Sequence, residues 1–102
     1  MLLVVTLTIR PGALEAFRDF ETRAAAIMAK HGGAIERAIY VPPASDGDDP
    51  REVHIVSFPN AQAFAAYRAD EALTALAELR NAAIAGTEVL VGEEGPEYRI
   101  RR

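Results

Sequence analysis

The stretch VHIVSFPNAQAFAAYRADEALTALAELR, residues 53–80, decides the fold of this chain. It opens inside a strand read from Arg51 to Phe58, in which Val53, Ile55 and Ser57 alternate with His54, Val56 and Phe58. Bulky side chains on both parities mark a strand covered on both faces. Phe58-Pro59-Asn60 ends it, because proline cannot continue a ladder and asparagine favours the position before a helix. Asn60 is the expected N-cap, its side-chain oxygen accepting from a free amide of the first turn, with Pro59 and Phe64 at the hydrophobic-staple positions. The helix runs through Ala63, Phe64 and Tyr67, pauses near Ala69, and restarts behind Asp70 as a second cap, carrying Leu73, Leu76, Leu79, Ala83 and Ile84. A bent or two-part helix is the expectation.

Working outward, Leu2 to Ile9 is a second strand with apolar residues on both faces, Leu3, Val5, Leu7 and Ile9 against Leu2, Val4, Thr6 and Thr8. Arg10-Pro11-Gly12 breaks it. From Ala13 to His31 the residues Leu14, Phe17, Phe20, Ala24, Ile27 and Met28 recur at helical spacing, with Glu15, Asp19, Arg23 and Lys30 on the other side. Glu15 in the first turn, Lys30 and His31 in the last and Gly32-Gly33 beyond suit the helix dipole and a glycine C-terminal cap. Ala34 to Val41 returns to a strand whose charges suit a sheet edge. PPASDGDDP, residues 42–50, is a solvated loop; its aspartates lack the alternate-residue register and distant glutamate of a calcium loop. Gly86 is expected to end the second helix and Thr87 to Val91 to form a short last strand. The tail, residues 92–102, carries Tyr98 and Ile100 as large apolar residues for an extra strand or an arm across a partner.

The order strand, helix, strand, strand, helix, strand is the ferredoxin-like βαββαβ pattern of the α+β class, an antiparallel sheet with both helices on one face. That leaves the other face bare. We assign Leu2, Val4, Val56 and Phe58 to one face and Leu3, Val5, Val53 and Ile55 to the other, so exposing either leaves a large apolar patch. Two sheets packed face to face in a homodimer remove it, enclosing a barrel-like interior.

Composition narrows the function classes. The chain has 102 residues, half of them hydrophobic, enough for one domain over 1–102 and no second. No cysteine is present, which removes disulfides and thiolate metal sites, and two histidines are too few for a histidine-rich cage. A formal charge of -4 opposes nucleic acid or an anionic membrane as the main partner, and Arg99, Arg101 and Arg102 are too few to reverse it. MLLVVTLTI lacks the basic flank and small-residue cleavage site of a leader, and no apolar run reaches membrane-spanning length. A soluble, cytoplasmic protein is expected.

HIVSFPNAQAFAAYRADEALTALAELR resembles the domain-of-unknown-function 1330 family, in the dimeric α/β-barrel superfamily that also holds antibiotic-biosynthesis-type monooxygenases. Phe58-Pro59, the alanine-rich helix start, Tyr67, Asp70-Glu71 and Arg80 carry the resemblance, while Ala66 and Ala72 stand where the family commonly has tryptophan and tyrosine. Positions 1–41 agree in element order and spacing. The resemblance implies fold and dimer, and no assigned reaction.

His54 is the candidate catalytic residue, an imidazole inside an apolar strand whose titration range suits general acid or base work, against the alternative of a buried structural histidine. Thr6, Glu36 or Tyr40 are the residues expected to orient its ring or the ligand. Arg80 is a fork for a carboxylate, or else pairs with Glu78 or Asp70. Tyr40 and Tyr67 are candidate hydroxyl donors to a pocket. Glu36 and Arg37 alternate, so one of them at most points into the barrel. Thr6, Tyr40, Tyr67 and Arg80 thus form the expected ligand-binding set, with no cofactor and no metal. The leading reading is a dimeric protein that binds or transforms a small organic molecule in an apolar barrel pocket. Its rivals are a non-catalytic interaction module of the same fold and, more weakly, a cofactor-independent monooxygenase or a haem-related enzyme.

Overall fold

A computed structural model describes residues 1–99. The chain forms β1 (Leu2–Ile9), α1 (Leu14–Lys30), β2 (Ala34–Val41), β3 (Arg51–Ser57), α2 (Ala61–Arg68), α3 (Glu71–Thr74), α4 (Ala77–Ala83) and β4 (Ile84–Gly92). The four strands make one antiparallel sheet in the order β2-β3-β1-β4, the ferredoxin-like topology, with the helices on one face. The two apolar strands singled out above, β1 and β3, are the central pair, where burial on both faces is greatest.

Register decides which apolar residues share a face. Leu3 stands opposite Val56 and Val91, and Val5 opposite His54 and Val89. The helix-covered face therefore carries Leu3, Val5, Leu7 and Ile9 together with His54 and Val56, and the open face carries Leu2, Val4 and Thr6 with Val53 and Ile55. The expected grouping of Leu2 and Val4 with Val56 and Phe58 is wrong by one residue of register. A one-residue slip moves every side chain of a strand to the other face, and strands apolar on both parities do not reveal it.

Helix α1 lays Phe17, Phe20, Ala24, Ile27 and Met28 on the sheet. Phe17 is fully buried, which contributes about 1.5–3 kcal/mol by removal of apolar surface from water. The helix ends in a Schellman arrangement: Gly33 N–H donates to Met28 O at 3.0 Å and Gly32 N–H to Ala29 O at 3.1 Å, with Gly32 at φ +75°. Asn60 Oδ1 accepts from Ala63 N–H at 2.9 Å and starts α2, and Asp70 Oδ1 accepts from Ala72 N–H at 2.8 Å and starts α3. The second helical stretch is thus in three pieces, of which α4 packs closely on α1 while α2 and α3 touch it lightly.

The helical stretch ends before Gly86. It stops at Ala83; Ile84 is already extended and buried, and Gly86 lies within β4 opposite Thr8, beside a register shift. A second irregularity, between Ile35 and Arg37, breaks the alternation of β2. Arg37 stands opposite Ile55 on the open face, and Glu36 accepts from Ser57 Oγ at 2.7 Å, also on that face. Residues 93–99 form no strand, and Tyr98 is 81% exposed. Ile100, Arg101 and Arg102, named above for an arm and a basic cluster, lie outside the described residues.

The core is divided. Leu7, Ile9, Phe17, Phe20, Ala24, Ala83 and Ile84 form one cluster, and Leu3, Met28, Val56 and Phe58 another, with Val5 packed against both. The candidate site lies on the seam between them.

Candidate functional site

A cavity of about 590 Å³ opens between the sheet and the helices, within the range of small-molecule sites. Both core clusters contribute to its apolar walls, through Leu7 and Phe20 on one side and Leu3, Met28, Val56 and Phe58 on the other. Phe64 and Tyr67 from α2 and Leu73 from α3 overhang it, and Val89 of β4 stands at its margin. Its polar lining is Glu21, His54, Tyr67, Arg68, Arg80 and Thr87, drawn from α1, β3, α2, α4 and β4.

His54 is 3% exposed, the one polar side chain in the buried core of the described residues. Its Nε2 lies 2.7 Å from Glu52 Oε1, and its Nδ1 3.8 Å from Glu21 Oε2, too far for a hydrogen bond. A carboxylate only accepts, so a charged Glu52 places the ring proton on Nε2 and leaves Nδ1 as the basic nitrogen beside Glu21 and the cavity. Glu52 sits on the same face of β3 two residues away, as the period of a strand requires. Glu21 and His54 also line a shallower groove on the far side, with Glu52 and Arg18, so the pair forms the wall between cavity and groove.

The charges around Glu21 are mixed. Burial pushes its carboxyl above the ordinary value of 4.5; His54 and, more weakly, Arg80 act against this, and Glu52 adds to it. The Tyr67 hydroxyl is pushed up to about 12, first by burial and then by the negative charge of Glu21. It is therefore a neutral donor at physiological pH. Tyr67 is held by ring contacts, 5.5 Å from Phe58 and edge-on to His31 at 6.5 Å. Arg80 Nη2 donates to Thr87 Oγ1 at 2.7 Å. Among the described residues no carboxylate lies within 4 Å of Arg80, so the expected pairing with Glu78 or Asp70 does not form.

Of the residues singled out in the sequence, the structure brings together His54, Tyr67 and Arg80. Thr6 and Tyr40 fall elsewhere. Thr6 is on the open face opposite Val53, and Tyr40 is exposed on the edge strand with the Arg18 guanidinium 5.8 Å from its ring. Neither lines the cavity, nor do they or Glu36 orient His54; Glu52 does. The cavity itself lies beneath the helices, not on the open face from which a barrel interior between two sheets would be built. Sequence reasoning missed Glu21 and Glu52, although both carried a signal. Glu21 follows Phe17 by four and precedes Ala24 by three, which places it on the buried stripe of α1, and Glu52 shares the parity of His54. It also missed the partner of His31, whose Nε2 lies 2.8 Å from Asp70 Oδ2, tying the start of α3 to the end of α1. That contact and the Ala72 amide hold the Asp70 carboxyl below its ordinary value.

Two cofactor classes can be weighed on these geometries. Among the described residues no three histidine or carboxylate groups gather to hold a metal ion. A haem needs an axial donor aimed at its iron, and the imidazole lining this cavity has Nε2 on Glu52 and Nδ1 turned toward Glu21, so His54 is not free to be that donor. Among the described residues no helix is long and apolar enough to cross a membrane.

Comparison with known proteins agrees with the topology. A protein of unknown function from Rhodopseudomonas palustris superimposes with a TM-score of 0.73 at 17% identity, over 93% of this chain and 83% of that one. A cofactor-independent oxygenase from Streptomyces nogalater, SnoaB, gives 0.63 at 18% identity, over 94% and 96%. A protein from Agrobacterium tumefaciens, Atu4242, gives 0.65 at 18% identity, over 92% of each chain. At such identities the likeness is one of fold. No curated protein matches the sequence. The model of the family described as Domain of unknown function (DUF1330) matches residues 2–93, nearly the whole chain and every element of the sheet, and the chain belongs to that family.

Proposed function

We propose that this protein is a homodimer, paired through the open sheet faces, whose cavity beneath the helices binds a small organic molecule and transforms it by proton transfer at His54. The observation that carries this reading is one basic ring nitrogen, oriented through Glu52, at the edge of an apolar cavity of about 590 Å³. Nucleophile-free acid–base chemistry needs a proton acceptor within reach of the substrate, a partner that fixes its tautomer, and walls that exclude water. Nδ1 of His54, Glu52 and the two core clusters supply them. Glu21, kept protonated more readily by burial, is the acid that returns a proton. The Streptomyces nogalater protein of the same fold is a cofactor-independent oxygenase, so oxygenation is a second outcome to look for beside proton exchange. An open cavity favours ligand chemistry over a purely structural module, whose interior would be filled by side chains.

The dimer is supported by the open face, where Leu2, Val4, Val53 and Ile55 form a continuous apolar strip bordered by Ile39, 45% exposed, and Leu90, 56% exposed. Solvent-exposed strips of this kind mark association surfaces. Reaction is tested by incubating the protein in deuterated water with a panel of small apolar carbon acids, following deuterium incorporation by NMR and oxygen uptake by electrode. We expect exchange or oxygenation of at least one compound, lost in His54→Ala with the dimer mass retained. Unchanged turnover in His54→Ala removes His54 from the mechanism, and no turnover of any compound by the parent protein removes the enzymatic reading.

A further inference from the structure

The polar end of the cavity sets the donors of Arg80, Tyr67 and Arg68 beside the carboxyl of Glu21 and the imidazole of His54. Arg80 meets only the hydroxyl of Thr87 and, among the described residues, no carboxylate within 4 Å, leaving the rest of its guanidinium N–H groups for a ligand. Tyr67 contributes an O–H. Arg68 adds a second cation at the rim, its guanidinium 5.5 Å from the Phe64 ring. Guanidinium and phenol groups set in apolar walls match an acceptor with several lone pairs and a negative charge, and a carboxylate is the compact group that takes a bidentate fork.

We propose that the ligand is a small apolar molecule bearing one carboxylate, held by Arg80 and Tyr67, and that its binding is coupled to uptake of one proton at Glu21. The inference rests on the reading that the cavity binds a small organic molecule, and names the class. Glu21 opposes an anionic ligand while ionised and becomes a further donor once protonated. The groups facing it are His54 and Glu52 on β3, Tyr67 on α2 and Arg80 on α4. Burial already favours its neutral form, so an anion beside it has only to complete the protonation. By linkage, affinity for the anion rises as pH falls through the titration of Glu21 and declines above it. A neutral ligand of the same shape has no such dependence.

The test is calorimetric titration with 2-naphthoate and with its neutral counterpart 2-naphthamide, at about pH 5 and about pH 8, in buffers of different ionisation heat. We expect 2-naphthoate to bind about tenfold or more tighter than the amide at the lower pH, the difference expected of a charged hydrogen-bonded pair. One proton should be taken up per ligand at the higher pH, with the preference shrinking. Arg80→Met should abolish the preference while retaining amide binding, and Glu21→Gln should remove the proton uptake seen with naphthoate and weaken the pH dependence of its affinity. Equal binding of both compounds at both pH values overturns the carboxylate inference and leaves the cavity reading standing. Binding of neither overturns both. The comparison within the parent protein decides the matter even if a variant fails to fold.

Discussion

Replacing Gly33 by alanine tests the packing that bounds the cavity. A Cβ built on Gly33 lies 2.4 Å from Phe58 Cε1, 2.7 Å from Phe58 Cζ and 2.6 Å from Met28 Cγ, whereas ordinary contacts begin near 3.4 Å. The neighbours must retreat by roughly 1 Å. They have little room, because Phe58 and Met28 are buried in one cluster and Phe58 also stacks at 5.3 Å against Phe64 and 5.5 Å against Tyr67. Nor can the backbone swing away, since the Gly33 N–H closes the α1 cap on Met28 O. Gly33 itself is not in the left-handed region, so the penalty is steric and is set against a gain of about 0.4–1 kcal/mol from a stiffer unfolded chain. Overpacking of this kind costs about 1–3 kcal/mol, a fall in Tm of about 4–24 °C for a domain of this size. Gly86→Ala is the control: its Cβ meets nothing within 4 Å and its φ is not positive, so Tm should hold or rise. Thermal unfolding followed by circular dichroism reads both. Gly33→Ala should also weaken 2-naphthoate, since the displaced Phe58 and Met28 line the cavity. A Gly33→Ala protein as stable as Gly86→Ala refutes the close approach of helix cap and sheet on which the cavity wall depends.

Three further outcomes follow from the same geometry. Asp70→Asn keeps an N-cap for α3 but loses the charged contact with His31; because the folded state holds the Asp70 carboxyl below 3.8, the stability it contributes is present above that value and disappears as pH falls through the folded value. Denaturant unfolding should show parent and Asp70→Asn apart at neutral pH and converging in acid, and a constant gap would sink the linkage. Glu21 has the opposite sign: its folded value lies above 4.5, so its relative contribution is greatest below 4.5 and is lost as pH rises through the folded value. Glu21→Gln should therefore match the parent protein at low pH and exceed it at alkaline pH, and a variant less stable at both contradicts burial as the main cause of the shift. Ile55→Asp, on the open face, should reduce the scattering mass from twice 11.0 kDa to 11.0 kDa without loss of the helical signal; an unchanged dimer places the interface elsewhere.

How far the sequence could be read depended on whether a signal was local. Asn60 and Asp70 announced their caps because capping is settled within three residues, and Gly32-Gly33 announced the end of α1 in the same way. The antiparallel order followed from the spacing of strands and helices. What stayed hidden needed a partner from elsewhere in the chain. The face shared by Leu3 and Val56 is a property of the β1–β3 register, which two strands apolar on both parities leave open. Gly86 looked like a helix stop, yet the helix ends earlier because Ile84 turns into the strand and is buried in the same core cluster as Ala83 and Phe17. At the site, His54, Tyr67 and Arg80 were legible as residue types and share the cavity, whereas Thr6 and Tyr40, expected in the same pocket, lie outside it because their strand positions could not be oriented from the sequence. Glu21 was left unassigned, although its place in the Phe17, Ala24, Met28 stripe pointed inward.

Glu21 lines the cavity between the two core clusters, where a leucine would bury apolar surface, with the stability that such burial brings. Instead the seam holds a carboxyl whose ionisation is disfavoured, an imidazole between two carboxyls and a guanidinium without a carboxylate partner, all beneath a helix broken at Ala69 and again at Leu76. The break and the polar seam adjoin: α2 and α3, on either side of the break at Ala69, both supply side chains to the cavity that His54 and Glu21 line. Asp70 connects the two features physically, since one carboxylate oxygen caps α3 after the break and the other meets His31 at the end of α1. The cavity roof is thus held at a junction, while its floor is the rigid central pair of strands. His54 lies on that floor and Tyr67 and Leu73 in the roof, so the two halves of the cavity wall come from elements with different attachments to the sheet.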